Sequence, residues 1–262
     1  MTKELIVRFV PTSIQESDTI GRCVVMADIL RASSTIIQAL ANGAAAIYPQ
    51  AEIEDSRRLA SELGAKTLIG GERNGQIVAG FDCGNSPLEY TTEKVSDRKV
   101  VLCTTNGTFT LSLCRNADRV LIGAFTNISA ICERLQTHES AMIACAGTNR
   151  MVTDEDVLFA GAVASKLVLQ NPSVKLDDAA KIAADRWQSI NSQLSEGFPL
   201  WEWFAQSHGG RNLVKLNYED DIQYCSQIDL LDLVPELDIA SWVIKPSSQS
   251  VNVVSPTSQK TP

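Results

Sequence analysis

Residues 23–43 read CVVMADILRASSTIIQALANG, and this stretch decides the fold class. Cys23–Ala27 is apolar at every position rather than at alternate ones, which is the pattern of a strand covered on both faces. A polar break, Asp28–Ser33, interrupts it. Ser34–Asn42 then follows helical spacing and stops at Gly43, a residue type that accepts the left-handed cap. Buried strand, turn, helix and glycine stop make one α/β unit.

The unit recurs on either side. Further strands are predicted at Leu5–Val10, Ala45–Tyr48, Lys99–Cys103, Val120–Gly123 and Ala141–Cys145, with helices at Ile53–Leu63, Gly107–Arg115, Ile128–Leu135 and Asp154–Leu169. Such alternation predicts a three-layer α/β/α fold on a largely parallel or mixed sheet. Beyond Leu169 the texture turns helical, at Asp177–Asn191, Phe198–Phe204 and Ser207–Leu216, with a last strand at Ile239–Ile244. One domain over residues 1–245 is expected, with a two-lobed split near residue 115 left open. Residues 246–262 are rich in Ser, Pro and Gln and are expected to form a disordered tail.

Composition excludes several function classes. The 262 residues are 44% hydrophobic and 21% charged, with a formal net charge of −8, as in ordinary globular proteins. No basic patch offers itself to nucleic acid. Seven cysteines, an odd number without a CxxC pair, argue against a disulfide framework and a zinc ribbon. No apolar run approaches the roughly 18 residues of a membrane span, and the first residues lack the apolar core of a signal peptide, so the expected compartment is the cytoplasm. The chain length leaves a homodimer open.

In open α/β sheets ligands bind beyond the carboxyl ends of strands. Four turns stand there. The first holds Asp28, Arg31, Ser33, Ser34 and Thr35, an acid and a cation before a hydroxyl-rich helix start; capping alone needs neither Asp28 nor Arg31. The second runs from Gly70-Gly71-Glu72-Arg73-Asn74-Gly75 to Gly80–Pro87, including Asn85 and Ser86. It reads as a long glycine-punctuated loop, where Glu72 suits a hard cation and Arg73 an anion. The third is Thr104, Thr105, Asn106, Gly107 and Thr108, an anion cradle before a helix. The fourth pairs Gly147 with Glu155 and Asp156; Thr153 and Asp156 have capping-box spacing, but three consecutive acids exceed what a cap needs.

Named phosphate-ester mechanisms fail one by one. Cys145 and Arg150 are one residue too close for a cysteine-phosphatase loop, and Leu30 stands where an aspartyl-phosphate enzyme needs its second Asp. His138 and His208 are the chain's two histidines, and neither lies at a strand-end turn as a triad would require. No Walker or dinucleotide fingerprint is present. Metal-assisted hydrolysis remains, with carboxylates holding Mg²⁺ against a small phosphorylated anion.

The runs ADILRASST, GGERNG, GFDCGNSP, TTNGT, CAGT and TDEDVLFAG, followed by GGRNLVKLNYEDDIQYCSQIDLLDLVPEL, stand in the order seen in the 2-phosphosulfolactate phosphatase family, which this chain resembles over residues 5–237. The resemblance implies an α/β fold, Mg²⁺ dependence, and hydrolysis of 2-phospho-3-sulfolactate to 3-sulfolactate and phosphate, a step of coenzyme M biosynthesis. It implies catalytic roles for Asp28, Arg31, Glu72, Arg73, Glu155 and Asp156, with Asp28, Glu72 and Asp156 on the metal. Substrate contacts would come from Ser33, Ser34, Thr35, Asn85, Ser86, Thr104–Thr108 and Gly147. Cys83 and the Ser33-Ser34 pair are mild departures from the family pattern. Two alternatives stay open: the same chemistry on another phosphorylated hydroxy acid, and a non-catalytic anion-binding protein.

Overall fold

Eleven short strands form one mixed sheet in the computed structural model, which describes residues 1–247. They are β1 (Glu4–Arg8), β2 (Cys23–Ala27), β3 (Ala46–Gln50), β4 (Thr67–Arg73), β5 (Gln76–Ile77), β6 (Lys99–Cys103), β7 (Arg119–Ile122), β8 (Ser140–Cys145), β9 (Lys175–Leu176), β10 (Pro235–Asp238) and β11 (Val243–Pro246). The helices are α1 (Glu16–Thr19), α2 (Ala32–Ala41), α3 (Ile53–Leu63), α4 (Thr92–Val95), α5 (Gly107–Ser112) and α6 (Ile128–Leu135). They continue as α7 (Asp154–Gln170), α8 (Asp178–Ser195), α9 (Leu200–Gln206), α10 (His208–Lys215) and α11 (Glu219–Cys225). All five residues of β2 are buried, as its unbroken apolar run requires.

The sheet order is β5-β4-β6-β3-β11-β10-β7-β2-β8-β1-β9. β4, β6 and β3 form one parallel group, and β7, β2, β8, β1 and β9 another. The β10–β11 hairpin joins them through antiparallel pairings on both sides. Three reversals make the two groups nominally opposite in direction. Five strand-to-strand steps separate β6 from β2, and a twist of about 20–25° per step undoes much of that reversal. Strand ends from both groups can therefore face one cavity.

Sequence expectations meet the structure closely in the first two thirds. β2, β6, α3 and α6 have the bounds read from the sequence, and α3 ends at Gly64 with φ +89°. Pairings cross residue 115, since β1 and β2 from before it join β7 and β8 from after it.

Three expectations are corrected. The strand predicted at Ile239–Ile244 is instead the hairpin of β10 and β11, whose turn occupies most of that span. Gly70–Arg73 is not loop but the second half of β4. Asn74 (φ 54°) and Gly75 (φ 80°) make the two-residue turn into β5, a conformation Asn-Gly pairs favour. The first two residues of the tail expected from residue 246 are instead tied to the sheet: Pro246 pairs in β11 and the Ser247 hydroxyl donates to Glu236 (2.9 Å). The rest of that tail, residues 248–262, lies outside the described residues.

The C-terminal helices are tied in by aromatic packing. Phe125 meets Phe159 of α7, Trp187 of α8 and Phe204 of α9 at ring-centroid distances of 5.7, 5.6 and 5.4 Å. This cluster fixes where α9, and α10 after it, sit against the sheet. All seven cysteines are buried and free.

Candidate active site

The helix-start hydroxyls are used by the backbone. Ser33 Oγ accepts the Asp28 amide (2.9 Å), Ser34 Oγ donates to Ile29 O (3.0 Å), and Thr35 Oγ1 donates to Asn85 O (2.8 Å). Thr108 Oγ1 likewise donates to Thr104 O (2.5 Å). These groups shape the turns rather than face the cavity. Thr35 also ties the turn after β2 to the segment carrying Asn85 and Ser86.

Glu72 is held by three donors. Its Oε1 accepts the amide and hydroxyl of Thr105 (2.9 Å each), and Oε2 accepts the Gly75 amide (2.8 Å). The bonds join the tip of the β4–β5 hairpin to the turn after β6. β4 comes this close because residue 71 is glycine: a Cβ there would stand 2.1 Å from Cys103 O. Arg73, on the opposite side of the pleat, donates to Glu72 O (2.8 Å) and to Ala51 O, away from the cavity.

Asp28 ends β2 and is nearly inaccessible. Ala32 donates to its Oδ1 (3.3 Å), and the Gly107 amide faces it. Burial first, then the nearby Asp156 charge, push its carboxyl up to about 8. Asp156 lies one layer deeper. It takes the Ile29 amide on Oδ1 (2.9 Å) and the Gly147 amide on Oδ2 (2.8 Å), and burial with the Glu155 charge pushes it up to about 7. Burial also lifts Glu155 to about 7, against the Ser207 hydroxyl, and its Oε2 has no hydrogen-bond partner. Thr153 makes no capping bond at the α7 start, so the capping-box reading of Thr153 and Asp156 gives way to these long-range amide bonds.

Arg31 is committed to structure. Its guanidinium donates to Asp221 Oδ2 (2.5 Å) and Gly75 O (2.7 Å) and lies over the Tyr218 ring at 4.3 Å. Ser86 Oγ donates to the other oxygen of Asp221 (2.6 Å). Asp221 is the residue that sequence reading missed. It stands in α11 after Glu219 and Asp220, where acids suit any helix start, so only its burial marks it.

Asp28, Glu72, Asn85 and Thr105 line one cavity of about 350 Å³, together with Arg31, Asn106 and Thr148. Another wall is α10. Of the expected site residues, Ser33, Ser34, Thr35, Arg73, Ser86, Thr104, Gly107, Thr108, Gly147, Glu155 and Asp156 stand around that lining rather than in it. Gly147 and Asp156 brace the floor through their mutual bond.

Among the described residues no three His, Cys, Asp or Glu side chains form a ready metal cage. Mg²⁺ rarely asks for one, since it binds one or two carboxylates and keeps waters or substrate phosphate as its other ligands. The donor set fits that mode. Asp28 and Glu72 both face the cavity, and the buried Asn85 Oδ1 beside them lacks a hydrogen-bond partner among the described residues. Asp156, expected as a third ligand, does not line the cavity: it lies behind the floor, holding the Ile29 and Gly147 amides.

Comparison with known proteins gives the arrangement a lineage. The family model described as 2-phosphosulpholactate phosphatase matches residues 8–239. A protein named probable 2-phosphosulfolactate phosphatase from Thermotoga petrophila is 38% identical over 224 residues, covering 86% of this chain and 92% of that protein. Proteins of the same name from Pseudothermotoga lettingae and Clostridium perfringens are each 38% identical, over 230 and 221 residues, covering 87% and 82% of this chain and 93% and 86% of theirs. This chain therefore belongs to the 2-phosphosulfolactate phosphatase family.

Proposed function

We propose that the chain is a Mg²⁺-dependent phosphatase that hydrolyses 2-phospho-3-sulfolactate to 3-sulfolactate and phosphate, the type of step used in coenzyme M biosynthesis. One observation carries the reading: Asp28, Glu72 and the Asn85 carbonyl, unpartnered among the described residues, meet in a small polar cavity, the two acids held there by backbone amides from three different turns. The names of the relatives supply the substrate.

Asp28 and Glu72 would hold the cation, with Asn85 Oδ1 as a neutral neighbour. When bound, Mg²⁺ would neutralise phosphoryl charge and acidify a water. The chain's own residues account for the remainder. Thr105 and Gly75 fix both oxygens of Glu72, so no rotamer freedom is lost when substrate arrives. The buried setting of Asp28 favours its protonated form, so taking up a cation at neutral pH displaces a proton from Oδ1 or Oδ2. Asp156, held by the Ile29 and Gly147 amides, keeps the Asp28 turn and the Gly147 turn in register.

The test is phosphate release from 2-phospho-3-sulfolactate, phosphoglycolate and phospholactate, each with Mg²⁺ and with EDTA. Release from the first that requires Mg²⁺ and exceeds the others supports the proposal. Preference for another ester moves the substrate, and release from none at any Mg²⁺ concentration leaves an anion-binding protein.

A further inference from the structure

One wall of the cavity belongs to α10, and neither the strand-end turns nor the acid floor explains what it displays. Gly209, Asn212, Leu213 and Leu216 follow the i, i+3, i+4, i+7 spacing of one helix face, and all four line the cavity beside Lys215. The helix is held close at both ends. A Cβ on Gly209 would stand 2.2 Å from Glu155 Oε1, and at the other end a Cβ on Gly75 would stand 2.8 Å from Leu216 Cδ1. Ser207 Oγ fixes the first turn by accepting the Gly210 amide (2.9 Å).

This wall carries two polar groups that no described residue uses. The Asn212 amide and the Lys215 ammonium make no side-chain hydrogen bond or ion pair among the described residues, whereas the other lining cation, Arg31, is taken by Asp221, Gly75 O and the Tyr218 face. A lysine in a last helical turn is favoured by the helix dipole alone. The dipole does not call for an unpartnered amide one turn earlier on the cavity side.

We propose that Lys215 and Asn212 bind the second, non-reacting anion of the substrate, a sulfonate or carboxylate, and so decide which phosphate esters the site accepts. The inference rests on the phosphatase reading above. The Asp28 and Glu72 carboxyls offer a second anion no attraction of their own, so a substrate with a second negative group needs positive charge elsewhere in the cavity. Lys215 is that charge, and Asn212 adds an N–H donor for a second oxygen of the same group. The volume of about 350 Å³ lies near the low end of small-molecule sites, in keeping with a substrate of a few carbons.

Calorimetric titration of the full chain with 3-sulfolactate, on the wild type, Lys215→Gln and Lys215→Arg, tests this directly. Lys215→Gln should weaken sulfolactate binding about tenfold and raise the KM for 2-phospho-3-sulfolactate by a similar factor while kcat changes less than about twofold. Lys215→Arg should recover most of the loss. Inhibition by inorganic phosphate, which lacks the second anion, should weaken much less. Equal sulfolactate binding by wild type and Lys215→Gln overturns the assignment, as does no binding to the wild type. Phosphate release is scored separately. A wild type that binds sulfolactate through Lys215 yet releases no phosphate overturns the phosphatase reading and keeps this one.

Discussion

The floor and the α10 wall of the cavity are built on opposite plans. On the floor, the Glu72 carboxylate is held by three donors and Asp28 by the Ala32 amide of its own turn and the Gly107 amide of the turn after β6, and most nearby hydroxyls are spent on the backbone. The α10 wall is positioned by glycine contacts and leaves Asn212 and Lys215 without partners among the described residues. A rigid floor of carboxyl groups suits a cation and the chemistry beside it; a wall with free donors suits recognition. The contrast separates groups whose loss should stop the reaction from groups whose loss should redirect it.

The sharpest break of that contrast is on the floor. Asp28→Asn and Glu72→Gln should each reduce Mg²⁺-stimulated phosphate release by about 10²–10⁴-fold. Far-UV circular dichroism should stay unchanged, and unchanged turnover in both variants would remove the metal assignment. Asp28→Asn should also raise Tm in EDTA at pH 8, because it deletes a charge that burial disfavours.

Next comes the brace between floor and wall. Arg31→Met leaves Asp221 buried without its cation, and such a loss costs about 3–5 kcal/mol. Urea unfolding should show it, with Asp221→Asn costing less because Ser86 keeps a partner there. A cost under about 1 kcal/mol would mean that the pair is not the brace.

A pH series reads the floor as a group. Asp28, Glu155 and Asp156 have folded-state values raised above their ordinary ones, to about 8, 7 and 7. Protonated carboxyls therefore favour the folded state, and their contribution is full below about pH 4 and lost as pH rises through 7 to 8. In EDTA, Tm should fall between pH 6 and pH 8.5, and Mg²⁺ should oppose the fall with an affinity that increases over the same range. A Tm that climbs with pH in EDTA would show that these acids are charged when buried.

The smallest effect is expected behind the floor, at Cys145. Burial pushes its thiol well up, away from the thiolate form a nucleophile needs. Cys145→Ala should keep substantial activity at a stability cost of about 1 kcal/mol. Complete loss would revive a covalent cysteine mechanism.

The same contrast explains what could be read in the sequence. Continuous apolar runs such as Cys23–Ala27 and Lys99–Cys103 declare covered strands, and the floor acids stand at their ends, so Asp28 and Glu72 were legible. Glu72 was legible for a mistaken reason: Gly70-Gly71 suggests a loop, yet both glycines belong to β4 and permit its close approach to neighbouring backbone and Tyr90. Ser33, Ser34 and Thr35 looked like ligands because a hydroxyl that stabilises a turn and one that binds an anion have the same sequence signature. The wall was not legible. Asn212 and Lys215 lie in an ordinary amphipathic helix, and Asp221 follows two surface acids; only the packing of α9 to α11 turns these residues towards the site.

Phosphate release by the purified full chain from 2-phospho-3-sulfolactate at neutral pH, followed with Mg²⁺ and then with excess EDTA, tests the central claim most directly. The account predicts release that EDTA stops, Mg²⁺ restores, and Glu72→Gln lacks. Release that continues undiminished in EDTA, or in Glu72→Gln, would contradict it.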